Sequence, residues 1–241
     1  MSVRIILVDV NPKMVKAWRA TFEEEPGVEI VEGSMLAQRV DAWVTPTNAK
    51  ASMDGGLDGV IKQHLGAGIE RRVQAEVARA FGGSLPVGYA TCVPTGVDVP
   101  AFLISTPTMI ASSQDVSDTL NVALACAAAF QAIHIQNARA PGSIQSVALP
   151  GLGANTGRVP VEICADLMWT GHSLFRRRAF DDFAAMRAAL EEELGDLGPA
   201  QPTPGKANAK AKAKPNPAAT SQSIAPPPPS TKGSDVDFDD F

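Results

Sequence analysis

Twice in this chain a short, nearly continuous apolar run empties into a glycine-rich turn. The first run, Val40 to Val44, leads through Asn48 into Ser52-Met53-Asp54-Gly55-Gly56-Leu57-Asp58, where a helical pattern opens. The second, Ile144 to Leu149, leads into Pro150-Gly151-Leu152-Gly153-Ala154-Asn155-Thr156-Gly157. A run of this kind reads as a central strand, buried on both faces of a sheet. Glycines at a helix mouth let backbone N–H groups approach an anion closely, and the helix dipole favours negative charge there. Two such turns imply a cleft for a diphosphate with sugars attached.

The rest of the chain alternates in the same way. Val3 to Val10 reads as a buried first strand, rich in β-branched residues. Asn11-Pro12 reads as a helix cap with proline at the first helical position, and Met14, Val15, Trp18 and Phe22 form an apolar face that stops near Pro26-Gly27. Val28 to Val31 is a further strand. Gly56 to His64 is a helix with Ile61 and Leu65 on its inner side. Gly66-Ala67-Gly68 interrupts it, and a second helix carries Ile69, Val73 and Val77 as far as Gly82-Gly83. Val87 to Val93 and Ala101 to Ser105 read as strands, and Asp118 to Gln136 and Val161 to Phe175 as helices. This order predicts an α/β layered domain over residues 1–195. Thr106-Pro107-Thr108-Met109 reads either as a border of the cleft or as a strand-ending turn.

Bulk properties narrow the function. An apolar content of 45% supports a sizeable core, and a net charge of -5 argues against direct nucleic-acid binding by the folded body. Cys92, Cys126 and Cys164 are widely spaced, odd in number and form no CxxC pair, while His64, His134 and His172 make no ligand-spaced cluster. A reducing compartment with no structural metal and no cofactor is expected. The N-terminal apolar run is short and lacks a cleavage site, and Val122 to Phe130 falls below the roughly 20 residues that span a bilayer, so a cytoplasmic protein without a membrane partner is expected.

Asn48 and Asp58 carry the chemistry. Asn48 reads as lying in the turn that leaves its strand. Taken alone, it bonds its own backbone in that turn, and Asp58 complements a helix dipole. Taken together with the intervening glycines, a carboxylate beside an anion site suits a sugar hydroxyl or an attacking water better than a phosphate. A dinucleotide fold would need an acidic residue about 20 positions after Gly151-x-Gly153 at the end of a second strand, but that region holds Phe175-Arg176-Arg177-Arg178. A P-loop would need Gly-Lys-Ser/Thr, which is missing.

Four segments in order resemble the macrodomain family: Val31-Glu32-Gly33-Ser34-Met35, Asp41 to Asn48, Met53 to Gly66 and Leu149 to Pro160. The resemblance implies a three-layer α/β/α mixed sheet and a site for ADP-ribose or an ADP-ribosylated substrate. It implies that Asn48 contacts the distal ribose and that Asp58 orients or activates water near the anomeric carbon, as in the family's ADP-ribosyl hydrolases. Ligand contacts are implied for Ser34, Met35, Gly55, Gly56, Leu57, Gly151, Gly153, Ala154, Asn155, Thr156 and Gly157. The chain departs from the family in three places. Ser34 stands where the adenine-binding aspartate is usual. Met53 and Asp54 replace glycines. Gly157 sits near the place of an aromatic residue found in many active relatives.

Composition changes around Gly195. Residues 196–233 are rich in proline, alanine and lysine, with too little apolar surface to offset chain entropy, and are expected to be a disordered linker. The tip at 234–241 ends in Asp237-Phe238-Asp239-Asp240-Phe241. It resembles the acidic tails of bacterial single-stranded-DNA-binding proteins, which implies a protein partner in DNA metabolism. The simpler reading is a solubilising acidic end.

Overall fold

A computed structural model describes residues 3–195; the expected linker and tip lie outside them. The elements are β1 (Arg4–Asp9), α1 (Pro12–Thr21), β2 (Val28–Glu32), a 3-10 turn (Met35–Ala37), β3 (Ala42–Asn48), α2 (Gly56–Leu65), α3 (Gly68–Phe81), β4 (Thr91–Pro94), β5 (Phe102–Met109), α4 (Asn121–Arg139), β6 (Ser146–Leu149), α5 (Val161–Arg177) and α6 (Phe183–Leu194). The strands form one sheet in the order β2-β1-β6-β3-β5-β4. β4 is antiparallel to β5, and every other pairing is parallel. The carboxyl ends of β1, β6, β3 and β5 therefore meet along one edge, where ligands collect in open α/β sheets.

Local chemistry sets these elements. Asn11 Oδ1 accepts from Lys13 N at 3.0 Å, and Pro12 fixes the first turn of α1. α3 stops at Gly82, whose left-handed φ of 63° lets its N–H return to the Val77 carbonyl. Every residue of α4 from Val122 to Ile133 is buried, as expected of a helix apolar all round.

α2 and α3 cover one face of the sheet, where Ile61, Ile69 and Val73 join the same core as Trp43, Leu103 and Ile6. α1, α4, α5 and α6 cover the other, where Trp18, Phe130, Met168 and Leu190 join that of Leu7, Val44 and Ile104. The result is the expected three-layer α/β/α mixed sheet.

Several local expectations are corrected. Of Val87 to Val93 only the end is strand; Pro86 and Gly88 build a turn closed by Tyr89 N to Pro86 O at 3.1 Å. Thr106 to Met109 is not a strand-ending turn but the second half of β5. β4 pairs no further than Ser105, so β5 is an edge there and tolerates Pro107. β3 extends through Asn48, which closes the strand instead of lying in the turn after it. The sequence reading overlooked α6, although Asp182 caps it by accepting from Ala185 N at 2.8 Å.

The buried Glu25 and His172, with Arg176, tie the turn after α1 to α5. Glu25 accepts from Arg176 Nη1 at 2.6 Å and faces His172 Nε2 at 3.1 Å. Burial lowers the imidazole's proton affinity, and the Glu25 carboxylate opposes that shift. Because Arg176 is half exposed and can rehydrate, Glu25→Ala should cost about 2 kcal/mol, less than breaking a fully buried pair; urea denaturation checks this. Among the described residues, no helix is long and apolar enough to cross a membrane.

Candidate functional site

A cavity of about 690 Å³ opens where β1, β3, β5 and β6 end. Both glycine turns line it. So do Asn48, Asp58, Ser34, Met35, Gly55, Gly56, Leu57, Gly151, Gly153, Asn155, Thr156 and Gly157. Ala154 does not; it packs against the larger core.

Asn48 pins the first turn. Its Oδ1 accepts from Lys50 N at 2.9 Å and Ser52 N at 3.3 Å, and its Nδ2 donates to Ser112 Oγ at 2.9 Å. The acceptor side of the amide is thus committed to the backbone. A diol at this point meets a donor, not a donor-and-acceptor pair.

The Met53 side chain is an anchor in the core beneath α2 and α3. The Asp54 side chain is 76% exposed and lies 3.6 Å from Lys62 Nζ, which partly offsets its charge. Gly56 adopts φ 56°, a left-handed conformation that favours glycine as the chain enters α2. No side chain among the described residues caps that helix, so its first N–H groups are open to an anion.

Asp58 follows in the first turn of α2 and is 8% exposed. The buried Thr45 hydroxyl donates a short hydrogen bond to its Oδ1. Burial pushes its carboxyl up to about 7; the Thr45 bond opposes this, and the charges of Glu70 and Asp54 add to it. The group is therefore poised near neutrality between a base and an acid.

The second loop is held from beneath. Asp9, at the end of β1, accepts from Asn11 N at 2.9 Å and from Gly151 N at 3.2 Å. The Gly151 amide, expected among the ligand donors, is already committed. Gly157 supports the loop's far end: its carbonyl accepts from Val116 N at 3.0 Å, and a Cβ there would lie 2.7 Å from Gly153 O and from Val116 Cγ2. A side chain has no room at this position. At the opposite end, Ser34 Oγ accepts from Leu36 N at 3.2 Å and caps the 3-10 turn, leaving its proton to donate.

Thr108 and Met109, in the segment that reads as a border of the cleft, do line the cavity, whereas sequence reasoning missed Asp9, Thr47, Ser112 and Ser113, which line it too. Asp9 carried a signal, since it ends a strand. Thr47 and Thr108 are buried, and their hydroxyls have no hydrogen-bond partner among the described residues. Among the described residues, no group of three or more His, Cys, Asp or Glu side chains is placed to hold a metal. Burial pushes the Cys92 and Cys164 thiols up to about 12, which removes them as nucleophiles.

The sequence profile of the Macro domain matches residues 44–168. An uncharacterised protein of Aquifex aeolicus is 30% identical over 141 residues, covering 58% of this chain and 78% of its own. A macro domain-containing protein of Streptomyces nogalater is 27% identical over 184 residues, covering 70% of this chain and 92% of its own. A point mutant of the Oceanobacillus iheyensis macrodomain shares the fold with a TM-score of 0.50 at 14% identity, covering 67% of this chain and 89% of its own. The profile takes in both glycine loops and more than half of the sequence, and the chain belongs to the macrodomain family.

Proposed function

We propose that this macrodomain binds ADP-ribose and hydrolyses an ADP-ribosyl bond. The observation that carries the reading is the uncapped N-terminus of α2, open to the cavity, with the buried Asp58 carboxyl in its first turn. The diphosphate binds the N–H groups at Gly56 and in the second loop. The distal ribose lies beside Asn48 and Asp58, and the base lies toward Ser34 and Met35. A volume of about 690 Å³ falls within the usual range of roughly 300–1,000 Å³ for small-molecule sites. Asp58 accepts a proton from water as the water attacks the anomeric carbon and the aglycone leaves. A carboxyl titrating near neutrality suits that role.

Calorimetric titration with ADP-ribose, ADP and AMP tests binding, and turnover of ADP-ribosylated protein and nucleic acid tests hydrolysis. Saturable binding that strengthens from AMP to ADP-ribose, with product release, is the expected result. No saturable heat at millimolar ADP-ribose would reject the reading. Binding without turnover would identify a reader of the modification, a reading favoured by the committed Asn48 acceptor.

The cytoplasm is the proposed compartment, supported by three free thiols among the described residues. The tip Asp237-Phe238-Asp239-Asp240-Phe241 is proposed to engage a protein partner. Its deletion should abolish capture of that partner while leaving ADP-ribose affinity unchanged.

A further inference from the structure

We propose that Glu70 and Lys62 form a clamp that holds the first glycine loop in the shape its anion-binding N–H groups require, which makes Glu70 a positioning residue. This rests on the reading of the cavity as a diphosphate site. Glu70 lies in the first turn of α3 and points back at the loop before α2. Its Oε1 accepts from Met53 N at 2.8 Å, and its Oε2 pairs with Lys62 Nζ at 2.7 Å. Lys62, on α2, also reaches Asp54 Oδ1 at 3.6 Å. One carboxylate and one ammonium thus bind together the loop, α2 and α3.

The clamp acts at the point where the loop most needs it. Asn48 fixes the entry of the turn, and the next two glycines, Gly55 and Gly56, have no side chains to pack. Between them, Met53 is held by its side chain in the core and by its N–H on Glu70. A loop ordered in advance does not spend ligand affinity on ordering itself. Besides burial, the two carboxylates that Lys62 pairs act on Asp58: Glu70 from α3 and Asp54 from the loop push its carboxyl up, and the Thr45 hydroxyl from β3 opposes them. Lys62 is the cation that keeps two carboxylates from adding their full charge beside a diphosphate.

Three variants of the full-length protein test the clamp: Glu70→Ala, Glu70→Gln and Lys62→Met. Losing a charge-assisted bond to the loop in Glu70→Ala should weaken ADP-ribose binding about 10- to 100-fold. Exchange of the Met53 amide should speed up by a similar factor, with the rest of the domain protected as before. In Glu70→Gln the amide oxygen still accepts from Met53 N, so affinity and exchange should stay within about threefold of wild type. Its loss of charge should move the pH midpoint of turnover downward, a shift that a merely structural role would not produce. Lys62→Met keeps the Met53 bond and should weaken binding by only about 3- to 5-fold.

If Glu70→Ala matches wild type in both affinity and Met53 exchange, the clamp is wrong. If that variant loses its fold, Glu70→Gln and Lys62→Met carry the test, and an unmoved pH midpoint together with unchanged affinity in Lys62→Met overturns the proposal. A wild-type protein that binds no ADP-ribose overturns the reading of the cavity and this inference with it.

Discussion

Asp58→Asn is expected to abolish hydrolysis and, above neutral pH, to make the protein more stable. The two effects have one cause, the burial of a carboxyl beside the cavity. As a general base the group must be ionised, so wild-type turnover should rise with pH through about 7 and then level off. Losing a positioned base removes about 10²- to 10⁴-fold in rate. Stability runs the other way. The folded-state value of about 7 lies above the ordinary value of 3.8, so the fold favours the protonated form. That contribution is fully present below 3.8 and is lost as pH rises through 7. Asparagine never ionises, and its Oδ1 can still accept from the Thr45 hydroxyl. Asp58→Asn should therefore gain on the order of 2 to 4 kcal/mol over wild type at pH 8 and little at pH 4. Urea melts at the two pH values, run beside turnover assays, measure both. Wild-type turnover by the variant would remove Asp58 from the mechanism. Equal stability at pH 8 would show that the fold does not raise the carboxyl's proton affinity.

The parts of this site that sequence made legible are those whose partners are close in the chain. Asn48, Gly55, Gly56 and Asp58 follow one strand into one helix, and local rules for strand ends and helix starts are enough to bring them together. The Asp9–Gly151 bond joins residues 142 positions apart, and it exists because β6 lies beside β1 in the sheet. Strand order is fixed by how the crossovers pack, which periodicity along the chain does not report. The commitment of the Asn48 acceptor was hidden for a different reason. Asparagine after a strand does bond its own turn, but only the structure shows that the turn uses both lone pairs. Val87 to Val93 misled because its apolar residues are buried, as a strand's would be, while Pro86 and Gly88 carried the turn signal that decides the conformation. α6 was missed because its alanine-rich start and its run of three glutamates give a weak apolar stripe, so only its Asp182 cap announces it.

Gly171→Val should destabilise the domain by about 3 kcal/mol or more, at the upper end for overpacking in a core, and should loosen the second loop as well. Gly171 sits where α5 crosses α4. A Cβ there would lie 2.8 Å from both Ala123 O and Cys126 Cβ, and 2.9 Å from Ala127 N. Two of these three atoms belong to the α4 backbone, so no side-chain rotation relieves the clash. α4 cannot retreat either, because its opposite side packs into the core with Val44 and Ile104. Any shift of α4 reaches the site directly. Val122, at its start, packs 3.2 Å from where a Cβ on Gly153 would lie, and Val116, just before it, bonds the Gly157 carbonyl. Gly171→Val should therefore lose affinity for ADP-ribose in proportion to the disturbance, although no atom of residue 171 lines the cavity. Gly68→Ala serves as the control: it lies in the first turn of α3 with nothing within 4 Å of the added carbon, and should leave stability unchanged or raise it by up to about 1 kcal/mol. Urea midpoints for the two variants compare the cost of adding a Cβ with and without a backbone in its way. Equal midpoints would mean that the two helices have room to part, and that the second loop does not depend on their close approach.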